Sequence, residues 1–224
     1  MTPQEWSALW LTLKVGLGSV AVSLPPAILL GWILARRRFW GRGLLDLVCH
    51  LPLVMPPVVT GYLLLLLCGA KGPLGPLFAW LGIPLAFTWR GAVLAAALVG
   101  FPLVLRAVRL SIEAVDPRLE EAARTLGLGP LQTFWRVTLP LAWPGVVAGA
   151  LLGFARSLGE FGATITFVGN LPGETQTLPL LIYQHSQVPG REDAALGLVG
   201  VSLVLAALAL GASEGVARWT RARS

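Results

Sequence analysis

The chain has 224 residues, of which 55% are hydrophobic and 12% charged, with a net charge of +6 and a mean hydropathy of +0.74. Soluble domains carry about 25% charged residues, so a water-soluble globular domain is excluded and an all-α or β-barrel integral membrane protein is left. In that setting arginines between apolar runs report topology rather than nucleic-acid binding.

A hydrocarbon core about 30 Å thick needs roughly 20 helical residues. Five stretches reach that length, at about 8–35, 44–69, 90–112, 141–167 and 194–216. The first has no basic residue before it and outruns a signal-peptide core, so it reads as a retained span. Pro25-Pro26 in the first and Pro52 and Pro56-Pro57 in the second predict kinked helices, because neighbouring helices can re-satisfy the freed backbone groups. Nothing shows the ten-residue alternation of a membrane barrel, so the expected fold is all-α in one domain, 1–224. Cys49 and Cys68 lie in or beside apolar runs and read as small hydrophobes, with neither a disulfide nor a metal site.

Between the spans, residues 70–89 carry Trp80 and Trp89 and read as an interfacial loop with aromatic anchors. The longer loop 168–193 has an apolar middle, Leu178–Tyr183, that suits either a short interfacial helix or a re-entrant turn. Arg36, Arg37, Arg38, Arg42, Arg106, Arg109, Arg118, Arg124, Arg136, Arg218, Arg221 and Arg223 all fall on one side; Lys71, Arg90 and Arg191 fall on the other. The positive-inside rule puts the N-terminus outside and places the segment 116–140 and the C-terminus in the cytoplasm.

That segment turns half polar in a chain otherwise built for lipid. Asp116-Pro117 supplies an N-capping carboxylate and a proline at the first helical position. Glu120 and Glu121 lie near the positive end of this helix, on the water-facing surface. Leu119, Ala122, Ala123 and Leu126 make a small apolar ridge, and Gly127-Leu128-Gly129-Pro130 ends the first helix and starts a second. Leu139-Pro140 hands the chain to the fourth span. A helix-break-helix with small central residues suits docking into a groove on another protein; the plainer reading is an amphipathic loop on the membrane surface.

The spacing of Glu121-Ala122-Ala123, Gly127 and Val137-Thr138-Leu139-Pro140 resembles the cytoplasmic EAA signature of ABC-importer permeases, with valine where that family favours isoleucine. The resemblance implies a five-transmembrane-helix permease of type I (MetI-like), whose cytoplasmic coupling helix seats in a cleft of an ATPase subunit. On that reading Glu120, Glu121, Ala122, Ala123, Gly127, Leu139 and Pro140 carry the coupling. The only lysines, Lys14 and Lys71, follow Leu13 and Ala70, so no GxxxxGK[ST] phosphate loop exists here. ATP hydrolysis is therefore expected on a separate polypeptide, and no catalytic residue or cofactor is expected in this one.

In the fourth span Gly145, Gly149, Gly153 and Ser157 form a small-residue ridge for close helix approach. Arg156 and Glu160, four apart, can pair on the helix surface, as a structural lock or as part of a translocation path. Ser157, Thr164 and Thr166 can offer hydroxyls to an oxyanion or satisfy their own helix backbone. This span, "PGETQTLPLLIYQHSQVPGRED" and "LPLVMPPVVTGYLLLLL" resemble the molybdate/tungstate branch of these permeases, with sulfate permeases as near relatives. The resemblance implies a permease homodimer, two ATPase copies and an extracytoplasmic oxyanion-binding protein. A stand-alone channel or secondary carrier is the rival reading. An intramembrane enzyme lacks its HExxH helix or Ser/His constellation.

Single cysteines at Arg38, Arg124 and Glu174, in a chain freed of Cys49 and Cys68, test the orientation. In intact cells only the one at position 174 is expected to react with an impermeant thiol reagent; labelling at 124 but not at 174 reverses the topology.

Overall fold

The computed structural model describes residues 1–221, with side-chain surroundings up to residue 215. Arg223, and the side chains of Arg218 and Arg221, lie outside that description. α1 (Pro3–Arg36) starts on a reciprocal cap: Glu5 N–H donates to the Thr2 hydroxyl and Thr2 N–H to the Glu5 carboxylate. It continues through Pro25 and Pro26 without a break.

The second expected span is not one kinked helix. α2 (Arg42–Val54) and α3 (Pro57–Cys68) meet at 112°. Pro56 drives Met55 into the extended region (ψ 140°) and itself sits at ψ 131°, so the pair of prolines turns the chain instead of bending a helix. Among the described residues four helices are long and apolar enough to cross a membrane, or five if this bent pair counts as one span.

After α4 (Gly75–Trp80), α5 (Trp89–Glu113) crosses and α6 (Pro117–Thr125) follows. α7 (Pro130–Thr133), a π-helical turn (Phe134–Thr138) and α8 (Leu139–Leu158) then form one rod, Pro130–Leu158. The π turn has a local cause. Pro140 has no N–H for the Arg136 carbonyl, and the register slips so that Leu139 N–H donates to Phe134 O, five residues back.

The fourth span also differs from expectation. α8 stops at Leu158, residues 159–161 break the helix, and α9 (Gly162–Val168) resumes it. The loop 168–193 contains a helix, α10 (Leu178–Ser186), whose Leu178, Leu180 and Leu181 are buried within the protein. Its first N–H, that of Leu178, donates to Thr12 of α1 at 2.8 Å. α11 (Glu192–Arg221) closes the described chain.

α5 is the axis of the bundle. Of its most apolar window 67% is buried, against 17–33% in the other three long helices. Its N-terminal half packs with α1, α3 and α9 around Ala92, Ala96, Val99 and Phe167. The other half packs with α1, α2 and α8 around Leu34, Val104, Val108 and Val146.

The glycine ridge of α8 does what its spacing predicts. A Cβ on Gly145 would overlap Ser111, one on Gly149 would lie 3.1 Å from Ala107 Cβ, and one on Gly153 would lie 2.6 Å from Val104 Cγ2. Ser111 uses the approach to donate to Ala142 O at 2.9 Å. Gly145→Val is expected to cost roughly 1–3 kcal/mol or more through overpacking, seen as a lower melting temperature of the purified protein in detergent. Gly200→Ala, with nothing within 4 Å of its added carbon, is expected to leave it unchanged.

Candidate functional site

Two places collect the residues singled out by sequence: the segment 116–140 and the break between α8 and α9. In the first, Asp116 accepts from Arg118 N–H and Pro117 opens α6. Gly127, at φ +91°, ends it. Gly127 N–H donates to Arg124 O and Leu128 N–H to Ala123 O, the paired bonds of a Schellman cap. Gly129 N–H donates to the Gln132 side chain as the next helix begins at Pro130.

One expectation is corrected here. Glu120 does not stand beside Glu121 on the water-facing surface; its side chain is only 7% exposed. Arg36, at the last turn of α1, donates to it at 3.0 Å and also to Val115 O at 2.8 Å. Thr138, the last residue of the π turn, donates to the same carboxylate oxygen at 2.7 Å. Helical geometry explains the inversion: Ala123 lies one turn on from Glu120 and is buried with it, so this is the inner face of α6. The apolar ridge divides accordingly, with Ala123 inside and Leu119, Ala122 and Leu126 outside. Leu126 is 85% exposed and Glu121 lies on the open side; Leu131 and Trp135 of the following elements are also exposed. Leu139 is core, whereas Pro140 is exposed.

Arg36 and Thr138 were not visible as site residues in sequence. Arg36 stands 84 positions from Glu120 and reads only as a topology marker. Thr138 lies inside the signature but carries no sign of what it donates to.

At the second place Arg156 Nη1 lies 3.1 Å from Glu160 Oε2, so the expected pair forms. Glu160 is in the break rather than on a helix face. Its other oxygen accepts from Ala163 N–H at 2.9 Å, capping α9. The Glu160 side chain is 3% exposed and Arg156 33%, so the pair has a buried acid and a half-open base. Ser157 donates to Phe154 O at 2.6 Å, and Thr166 to Gly162 O at 2.8 Å, which assigns both hydroxyls to helix backbone. Thr164 is buried. Across from them α3 comes close enough that a Cβ on Gly61 would overlap Thr166 and Ala163. Thr60, beside it, buries a hydroxyl with no hydrogen-bond partner. The two places are separated by the length of α8, so the structure does not bring the coupling residues and the Arg156–Glu160 pair together.

With this geometry in view, comparison with known proteins gives a consistent pattern. Residues 27–221 match the family described as "binding-protein-dependent transport system inner membrane component". The chain is 54% identical to the molybdenum transport system permease protein ModB of Escherichia coli (strain K12), over 100% of this chain and 98% of that one. It is 42% identical to the sulfate transport system permease protein CysW of Synechococcus elongatus, over 88% of this chain and 70% of that one. A chain of the MetNI methionine ABC transporter, in an inward-facing conformation, superposes with a TM-score of 0.69 at 17% identity, over 98% and 99% of the two chains; it shares the fold.

Arg36→Met leaves the Glu120 carboxylate buried without its cation, which is expected to cost about 3–5 kcal/mol. The double change Arg36→Met/Glu120→Gln should recover part of that loss, because Thr138 can still donate to the amide. Melting temperatures of the three proteins in detergent check the order.

Proposed function

Because the chain belongs to the family of binding-protein-dependent transport system inner membrane components, we propose that it is the membrane-spanning permease of an ATP-driven importer of molybdate or tungstate. It is a multi-pass inner-membrane protein with N-terminus outside and the segment 116–140 in the cytoplasm. The observation that carries the coupling role is the two-sided construction of α6. One face is fixed to α1 and to the π turn through Glu120, while the other offers Leu119, Ala122 and Leu126 with Glu121 to a partner. An exposed apolar face on an otherwise anchored helix is what a helix seated in a groove requires.

The partner is an ATPase, which provides the hydrolysis for which this sequence has no phosphate loop. Two permeases and two ATPases assemble with a binding protein that delivers the oxyanion to the outer face. The exposed apolar residues of α2 and α3, among them Leu47, Leu51, Val59 and Leu63, leave a face that suits a second copy of the chain as well as lipid. The substrate follows from the full-length likeness to a molybdenum permease, which exceeds that to the sulfate permease in both identity and coverage. Arg156, Ser157, Glu160 and Thr164 flank the translocation path, with Arg156 the open cation of the set.

Reconstitution with an ABC ATPase and a molybdate-binding protein is expected to give ATP-dependent molybdate uptake that sulfate does not match; equal uptake without ATP would favour a secondary carrier. Gly127→Val forces a β-branched residue to positive φ and distorts the cap without touching a span. It should insert normally, lose most ATPase association on co-purification, and lose stimulation of hydrolysis by the loaded binding protein. Lys71→Gln, at the opposite end of the molecule, should retain both.

A further inference from the structure

Lys14 is a charge that the transport reading does not use. It lies within the first apolar span, is exposed, and has no carboxylate near it among the described ion pairs. Its Nζ stands 3.5 Å over the ring of Trp89, the first residue of α5. Arg90 leans on the same ring at 5.7 Å, donates to Gly82 O at 3.2 Å, and likewise lacks an acidic partner. One indole is therefore in contact with two cations.

Below them runs a groove of about 390 Å³ between α1, α5 and the 70–89 loop, lined by Gly18, Val22, Phe78, Val93 and Leu94 together with Trp89 and Arg90. Gly18 is one turn along α1 from Lys14 and Val22 one turn further, so the lysine stands just beyond the lining, over Trp89. Its walls are apolar except for Arg90 and include no acidic residue. Neighbouring positions on α1, Trp10 at 70% and Leu17 at 65% exposure, open outward to lipid.

We propose that this groove is a binding site for an anionic phospholipid in the outer leaflet, with the phosphate between Lys14 and Arg90 and one acyl chain along Gly18 and Val22. Three observations favour this occupant. A lone ammonium facing hydrocarbon is costly unless it is paired or reaches the headgroups. Two unpaired cations select an anion over a zwitterion. The apolar groove continuing from them into the span suits a molecule that is charged at one end and hydrocarbon at the other. Trp89 sits where an amphipathic ring anchors to the headgroup level.

The experiment uses the assembled permease–ATPase complex, exchanged into mixed micelles holding equal phosphatidylglycerol and phosphatidylcholine, with retained lipids counted by native mass spectrometry. The wild-type complex is expected to keep phosphatidylglycerol in preference to phosphatidylcholine. Lys14→Gln and Arg90→Gln should each lower that preference about five-fold, the weight of one basic side chain at an anionic headgroup. Val22→Trp fills the groove while leaving both cations, and should expel the retained lipid; normal ATPase stoichiometry in each variant shows that the fold is intact. Equal retention of the two lipids by wild type, or unchanged retention in the variants, overturns the site. So does cross-linking of a cysteine at Val22 to a second copy of the chain, which would make the groove an interface. A complex that keeps its lipid but imports no molybdate would leave this site standing and defeat the transport reading.

Discussion

Close approach of backbone to backbone along α5 is the constraint on which the rest of this structure depends. In hydrocarbon the helices gain nothing from hiding apolar surface, so packing must come from contact at short range. The alanines at 95, 96 and 97 and the glycines of α8 provide that contact. The same logic recurs where α1 meets α5: a Cβ on Gly31 would stand 3.2 Å from Val108 and 3.4 Å from the Arg109 backbone. Because α5 is held this tightly, the irregular elements can be displaced to its flanks.

Both helix breaks fall on those flanks, and they face each other. α3 begins after the Pro56 turn and α9 after the Glu160 break. The two short helices then pack so closely that a Cβ on Gly162 would sit 2.9 Å from Pro57 Cβ. Non-helical backbone at membrane depth is tolerated where protein surrounds it, and here each break is answered by a specific group. Glu160 caps the resumed α9, while the Pro56 turn needs fewer caps because proline brings no N–H to satisfy. An acid that reads in sequence as one half of an intramembrane ion pair thus also caps the start of a helix.

What the sequence discloses follows from how local the signal is. The first, third and fifth apolar runs, the ridge at Gly145, Gly149 and Gly153, the Asp116 cap and the positive φ at Gly127 are each set by a few neighbouring residues, and each has its counterpart in the structure. Glu120 is different. Two adjacent acids near a helix start look equally solvated, and only the packing of α6 against Arg36 and Thr138 distinguishes them. The breaks at 55–56 and 159–161 were hidden for a related reason: proline pairs are tolerated in α1 yet turn the chain between α2 and α3, and the difference lies in the surroundings. At α10, Leu178 and Leu181 pack with Ala8 of α1 and Leu198 of α11, and the Thr12 hydroxyl takes the Leu178 N–H, contacts between residues far apart in sequence.

α1 is held by side-chain hydrogen bonds near both of its ends. At one end Arg36 grips Glu120 of α6. At the other Gln4 donates to Gln176, which itself donates to Asn170 and Gln184, and Thr12 receives the first N–H of α10. A 34-residue helix is roughly 50 Å long at 1.5 Å per residue, so one rod is clasped at both faces of the membrane. Its proline pair lies between the clasps. The two clasps are thus joined by one unbroken helix, a covalent connection that bypasses both helix breaks.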